Sequence, residues 1–145
     1  MVEIFEKHSH VYLDTNILIY LFQGQEQHSK LLDEIFEFLE KKKIKICFSA
    51  LLLTELLVDP FKKLQPSIAK DWLYYFKVAK NIEIIDLTPA IAVDAAFLRS
   101  KYNFKTPDSI HLATAIQKKN SIFLTNDSDL KKIKELTVVC LEDLT

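Results

Sequence analysis

His10-Val-Tyr-Leu-Asp14-Thr-Asn-Ile-Leu-Ile-Tyr-Leu-Phe22 begins as a short apolar strand and turns, at one aspartate, into an apolar helical run. The pattern repeats outward from there. Lys45 to Phe48, Ile82 to Leu87, Ile122 to Leu124 and Val138 to Leu141 read as further strands, rich in Val, Ile and Phe. Between them, Gln27 to Lys43 places Leu31, Leu32, Ile35, Phe38 and Leu39 at three- and four-residue spacing, which predicts an amphipathic helix. Ser67 to Lys80 and Pro89 to Tyr102 read the same way. Strands alternating with helices predict an α/β fold with a mostly parallel sheet covered on both faces. In such sheets ligands bind beyond the carboxyl ends of the strands, where strand order reverses.

The punctuation is unusual because the chain has one glycine, Gly24, and four prolines. Thr88-Pro89 and Thr106-Pro107 read as an N-cap followed by proline at the first helical position. Asn81, Asn103 and Asn120 each follow a helical run and are expected to end it in the left-handed conformation that glycine usually takes.

The 145 residues, 49% hydrophobic and 27% charged, suit one domain spanning 1–145. A chain of this size buries roughly 70% of its unfolded surface, so it needs no disulfide or structural metal to fold. Cys47 and Cys140 lie far apart in apolar runs and read as reduced core residues of a cytoplasmic protein. No apolar stretch is long enough to span a membrane, and residues 1–10 lack the apolar region of a secretory signal. With 19 basic and 20 acidic side chains, the chain is not a general nucleic-acid coat protein, which would be strongly basic.

Four acids stand apart from those on solvated helix faces. Asp14 and Asp127 each follow a strand, Glu55 sits inside the apolar run Leu51 to Val58, and Asp108 lies in the first turn of the helix after Thr106-Pro107. Each has an ordinary role open to it: a helix cap for Asp14, solvent at a helix edge for Glu55, a favourable helix dipole for Asp108, a turn for Asp127. As a group they repel one another, and the chain's only arginine, Arg99, is remote from all of them in sequence. A divalent cation is the natural compensation, and all-oxygen donors select Mg²⁺ or Mn²⁺ over zinc. Such a site suits phosphodiester hydrolysis. No nucleophile elbow, Walker loop or dinucleotide turn competes, since one glycine cannot build them.

Four blocks carry a family resemblance: Val11-Tyr-Leu-Asp-Thr-Asn-Ile17, Ser49-Ala-Leu-Leu-Leu-Thr-Glu-Leu56, Thr106-Pro-Asp-Ser-Ile-His-Leu-Ala-Thr-Ala115 and Phe123-Leu-Thr-Asn-Asp-Ser-Asp-Leu130. In this order they resemble the PIN-domain ribonucleases, above all the VapC-type toxins of toxin–antitoxin pairs. The resemblance implies a three-layer α/β/α domain with a mostly parallel sheet of four to five strands. It also implies an endoribonuclease using Mg²⁺ or Mn²⁺ that leaves 5′-phosphate and 3′-hydroxyl ends. By position it assigns Asp14, Glu55, Asp108 and Asp127 as the catalytic, metal-holding quartet, with Thr15, Asn16 and Thr125 lining it. His111 and Asp129 fall close by; packing or hydrogen bonding suits the first and a solvated turn the second. An RNA substrate, a homodimer and an antitoxin lying over the acidic groove are implied as well.

Two features depart from the pattern. Asp14 stands further into the chain than is usual, behind a charged leader, and the basic side chains are almost all lysine, in clusters such as Lys41 to Lys43 and Lys131, Lys132 and Lys134. Trp72, Tyr75 and Phe76 share a helix face and suit either the core or a partner contact. The alternatives are a housekeeping PIN nuclease in RNA processing, or a catalytically retired PIN domain that binds RNA or a partner. Receiver and haloacid-dehalogenase readings fail because Thr15 and Asn16 stand where a second aspartate is needed.

Overall fold

The computed structural model describes residues 1–23 and 26–145, and side chains outside 22–27; Gly24 lies outside the described residues. Five strands form one all-parallel sheet: β1 (His10–Leu13), β2 (Lys45–Ser49), β3 (Ile82–Ile85), β4 (Ser121–Thr125) and β5 (Thr137–Cys140). Their order across the sheet is β3-β2-β1-β4-β5. The chain steps outward from β1 to β3, then returns to lay β4 on the other side of β1. The reversal therefore falls between β1 and β4.

Period-two alternation divides the sheet into two buried faces, as a parallel sheet requires. Val11, Leu13, Ile46, Phe48, Ile122, Leu124 and Val139 point to one core, closed by α1 (Thr15–Gln23), α2 (Glu26–Lys41) and α3 (Leu51–Lys62). Phe76 of α4 (Pro66–Val78) packs edge-on against Phe48 at 5.9 Å between ring centroids. Tyr12, Cys47 and Phe123 point to the other core, closed by α5 (Pro89–Tyr102) and α6 (Thr106–Gln117). The result is the three-layer α/β/α domain expected from the sequence. Both cysteines are buried and unpaired, as expected. Burial, with the charge of Glu83 adding to it, pushes the Cys47 thiol up to about 12.

Several boundaries move. β3 stops at Ile85, short of Leu87, and β5 stops at Cys140 because Leu141 opens a 3-10 turn. α2 stops at Lys41, and Lys43 takes a positive φ of 55°. Asn103 ends α5 in the left-handed conformation, φ 61° and ψ 33°, as its position predicts. Asn120 is also left-handed, but in the turn before β4, two residues beyond the extended cap of α6 at Lys118. Asn81 is not a cap at all: α4 ends at Ala79 in extended backbone, so the chain leaves the helix without a left-handed residue. Thr106 is likewise inside α6, and Lys105 occupies the N-cap with no side-chain bond. Thr88 does cap α5, its Oγ1 accepting the Ile91 N–H at 3.2 Å. Thr88→Ala is therefore expected to cost about 1 kcal/mol in chemical denaturation, whereas Thr106→Ala leaves capping unchanged.

Candidate active site

The carboxyl edge of β1 and β4, at the point of strand reversal, gathers the acids that the sequence singles out. Asp14 follows β1 directly and is 6% exposed. Its backbone N–H donates to the Leu124 carbonyl at 3.0 Å and its own carbonyl accepts from Ile17, so sheet and helix α1 both fix it. The carboxylate oxygen Oδ2 accepts the Thr125 hydroxyl at 2.8 Å. Thr125, last residue of β4 and fully buried, also accepts the Asp127 N–H at 3.0 Å on the same Oγ1. One threonine thus ties the two post-strand aspartates together. Asp127 in turn accepts the Asp129 N–H at 3.0 Å and caps the 3-10 turn Ser128–Lys132. Asp129 is exposed beside Lys132 at 3.2 Å, the position of a solvated turn residue. Asn16 is exposed in the first turn of α1.

Glu55, half-buried on α3, reaches the same edge from the side. Its Oε1 accepts the Thr15 hydroxyl at 3.0 Å and bonds His111 Nε2 at 2.5 Å. His111 is 2% exposed, and Thr15 Oγ1 lies 3.4 Å from its Nε2. Behind the ring, Nδ1 meets the Tyr12 hydroxyl at 2.6 Å, and that hydroxyl accepts the Ser49 N–H at 2.8 Å. The donors order themselves. Because the Glu55 carboxylate can only accept, Nε2 carries the hydrogen that faces it, and in the neutral ring Nδ1 then accepts from the Tyr12 hydroxyl. Tyr12 and Ser49 are the polar residues that sequence reading missed. The available signal was a tyrosine in the middle of a buried strand, whose hydroxyl needs a partner.

The electrostatics is that of a crowded anion site. Burial pushes the Asp14 carboxyl above its ordinary value, with the Thr125 bond and His111 opposing it and Glu55 adding to it. Asp108, half-buried in the first turn of α6, is raised by burial and then by the charges of Asp14 and Asp127. Burial also works against the charged form of Glu55, but the bonds from His111 and Thr15 outweigh it and hold that carboxyl below its usual value. Among the described residues, the ion pairs of lysine include none with Asp14, Asp108 or Asp127. Hard oxygen donors, mutual repulsion and no paired cationic side chain fit a divalent cation such as Mg²⁺ or Mn²⁺. The four carboxylates are not drawn into one tight shell. Among the described residues, the His, Cys, Asp and Glu ligand atoms that lie within 4.8 Å of one another as a trio belong to His10, Cys47 and Glu83 instead.

A family model for the PIN domain matches residues 11–136. The chain belongs to the PIN domain family. PIN domains are generally nucleases. The chain is similar to a solved toxin–antitoxin complex from Klebsiella pneumoniae, at 30% identity and TM-score 0.65 over 90% of this chain and 97% of that one. It shares the fold of VapBC2 from Rickettsia felis bound to a promoter DNA fragment, at 23% identity and TM-score 0.68 over 90% and 98% of the two chains. It also shares that of DNA-bound VapBC from Salmonella typhimurium, at 19% identity and TM-score 0.70 over 91% and 98%. No curated protein matches the sequence significantly. No described helix of this PIN domain is long and apolar enough to cross a membrane.

Proposed function

We propose that this single PIN domain is a Mg²⁺- or Mn²⁺-dependent endoribonuclease, the toxin of a toxin–antitoxin pair acting in the cytoplasm. The observation that carries the proposal is the meeting of Asp14, Asp108 and Asp127 at the sheet's reversal point without a compensating cationic partner, with Glu55 beside them. A domain that only bound RNA would gain nothing from acids that repel both one another and phosphate.

Asp14, Glu55, Asp108 and Asp127 are the residues that would hold the cation. When bound there, it neutralises the phosphodiester and lowers the pKa of a water. The protein's own part is positioning. Thr125 fixes the Asp14 carboxylate, and Thr15 and His111 fix Glu55, each through the hydrogen bonds given above. Asn16, exposed beside Asp14, is placed to meet the substrate, and Asp129 supports the turn that carries Asp127. The lysines supply phosphate attraction without sequence readout, and several are already paired at the surface, among them Lys118 with Glu83 and Lys131 with Asp143.

The antitoxin is assigned to the α3–α4 side. A cleft of about 290 Å³ runs from Glu55 past Leu56 and Pro60 to Ile68 and Trp72. Beyond it Phe61, Leu73 and Tyr74 are exposed. An apolar segment lying in this cleft would carry a basic side chain to the acids at its end. A homodimer is proposed with the toxin role; on α5, Val93 and Phe97 offer an exposed apolar face for it.

The test is cleavage of matched RNA and DNA oligonucleotides with Mn²⁺, Mg²⁺ or EDTA. RNA cut in either cation and spared in EDTA, with 5′-phosphate ends, is the expected result. Cleavage that persists in EDTA, or cutting of DNA with RNA left intact, overturns the proposal.

A further inference from the structure

A second cluster of metal-binding side chains lies toward the amino-terminal half of the strands, outside the carboxylate site. On the sheet face that carries Tyr12, His10 of β1, Cys47 of β2 and Glu83 of β3 come together. Cys47 stands in register between Tyr12 and Glu83, and His10 is two residues before Tyr12 on the same face. One ligand atom from each of the three lies within 4.8 Å of the other two. Along β1, four residues at about 3.3 Å each put His10 roughly 13 Å from Asp14, and Cys47 and Glu83 stand level with Tyr12, two residues short of Asp14 on neighbouring strands.

The groups around the cluster leave one donor on each residue. Ser9 Oγ bonds His10 Nδ1 at 2.8 Å, which leaves Nε2 as the nitrogen for a metal. Lys118, at the end of α6, pairs with Glu83 Oε1 at 2.6 Å, which leaves Oε2. Cys47 forms the floor at 1% exposure, while His10 and Glu83 are half-buried and open the cluster to solvent. A thiolate, an imidazole and a carboxylate form a borderline-soft donor set. Mg²⁺ and Mn²⁺ prefer all-oxygen sites, whereas Zn²⁺ takes such mixed ligands tetrahedrally with a water in the fourth place. The ligand atoms of a tetrahedral zinc stand roughly 3.3–3.8 Å apart, given metal–ligand distances of about 2.0–2.3 Å. Closing the trio onto an ion thus needs its ligand atoms to approach one another by up to about 1.5 Å, within reach of small rotations of the half-buried His10 and Glu83 side chains.

We propose that His10, Cys47 and Glu83 form a Zn²⁺ site, independent of the carboxylate site, that pins β1, β2 and β3 together. The serine bond to His10 and the lysine bond to Glu83 act as the outer contacts that orient the ligands. The proposal does not depend on the nuclease reading.

The test is a Co²⁺ titration of the full chain in excess Mg²⁺, followed by the thiolate-to-cobalt charge-transfer band in the near ultraviolet. The band is expected to saturate at one equivalent and to disappear on adding Zn²⁺. It is expected to persist in Asp14→Asn and in Cys140→Ser, and to be absent in Cys47→Ser. His10→Ala, which leaves the core thiol in place, is expected to weaken binding at least about tenfold. Absence of the band in the wild type, or its survival in Cys47→Ser at full strength, overturns the site. So does unchanged affinity in His10→Ala, which also decides the matter should Cys47→Ser fail to fold. Loss of the band in Asp14→Asn would show that the cobalt site depends on the carboxylate site, and would overturn its independence.

Discussion

Asp14→Asn is expected to stop RNA cleavage while making the protein more stable. Asparagine keeps the shape of the side chain and can accept the Thr125 hydroxyl, so the local fold survives. It removes one negative charge from the centre of the proposed cation site, and a loss of at least about a hundredfold in cleavage rate is expected, the scale of removing one preorganised catalytic group. The stability gain follows from linkage. Burial raises the Asp14 carboxyl in the folded protein, so the native state binds the proton more tightly than the unfolded chain does. The cost of the charged form is complete above the raised folded value and fades as pH falls through it. It is gone below the unfolded value of about 3.9. In EDTA at neutral pH the variant should therefore melt higher than the wild type, and the two curves should converge toward acid pH. A variant that melts lower at neutral pH would show that the buried charge is compensated by groups other than a cation.

His111→Ala is expected to damage stability and cleavage together. The ring bridges Tyr12 and Glu55 from a position 2% exposed to solvent. Its loss leaves a buried hydroxyl without its acceptor and a half-buried carboxylate without its main donor, at about 1–3 kcal/mol for each stranded group. It also frees Glu55 to swing, and loss of an outer-shell partner typically costs 10–100-fold in metal affinity or activity, roughly. Tyr12→Phe separates the two effects. It keeps the ring stacked on Phe123, 5.1 Å between centroids, and the imidazole in place, and removes the hydroxyl that sets the ring and accepts the Ser49 N–H, at a cost of about 1–3 kcal/mol for the stranded donor. A larger fall in kcat than in overall stability is expected for Tyr12→Phe, with KM for RNA unchanged. Equal kcat in the variant and the wild type would reduce the chain from Ser49 to Glu55 to a packing element.

The parts of this site that follow directly from one-dimensional pattern were legible in the sequence. Strand–helix alternation placed Asp14 and Asp127 beyond strand ends, and a parallel sheet brings such ends to one edge. Glu55 stood out because an acid inside Leu51 to Val58 has few ways to be tolerated. What lay beyond reach were the pairings made across the sheet. Nothing local in Val11-Tyr-Leu13 says that Tyr12 meets a histidine 99 residues away, because that contact depends on which side of β1 receives β4. The failed caps have a simpler cause. Asn81 and Thr106 have the right residue types, but α4 ends in extended backbone at Ala79 and α6 starts one residue earlier than its threonine suggests. Trp72 and Phe76 stack at 5.6 Å and pack inward through Phe48, so the aromatic face of α4 serves the core at one end and lies along the cleft at the other.

The most direct test of the carboxylate site is Mn²⁺ binding by the wild type and by Asp14→Asn, measured by calorimetric titration with no other divalent cation present and repeated with His10→Ala in both proteins, which takes the His10–Cys47–Glu83 cluster out of the signal. The account predicts binding by the wild type that is reversed by EDTA, and affinity at least about tenfold weaker in the variant. Equal affinity in the two proteins would contradict it, and would leave Asp14 as nothing more than the hinge between β1 and α1.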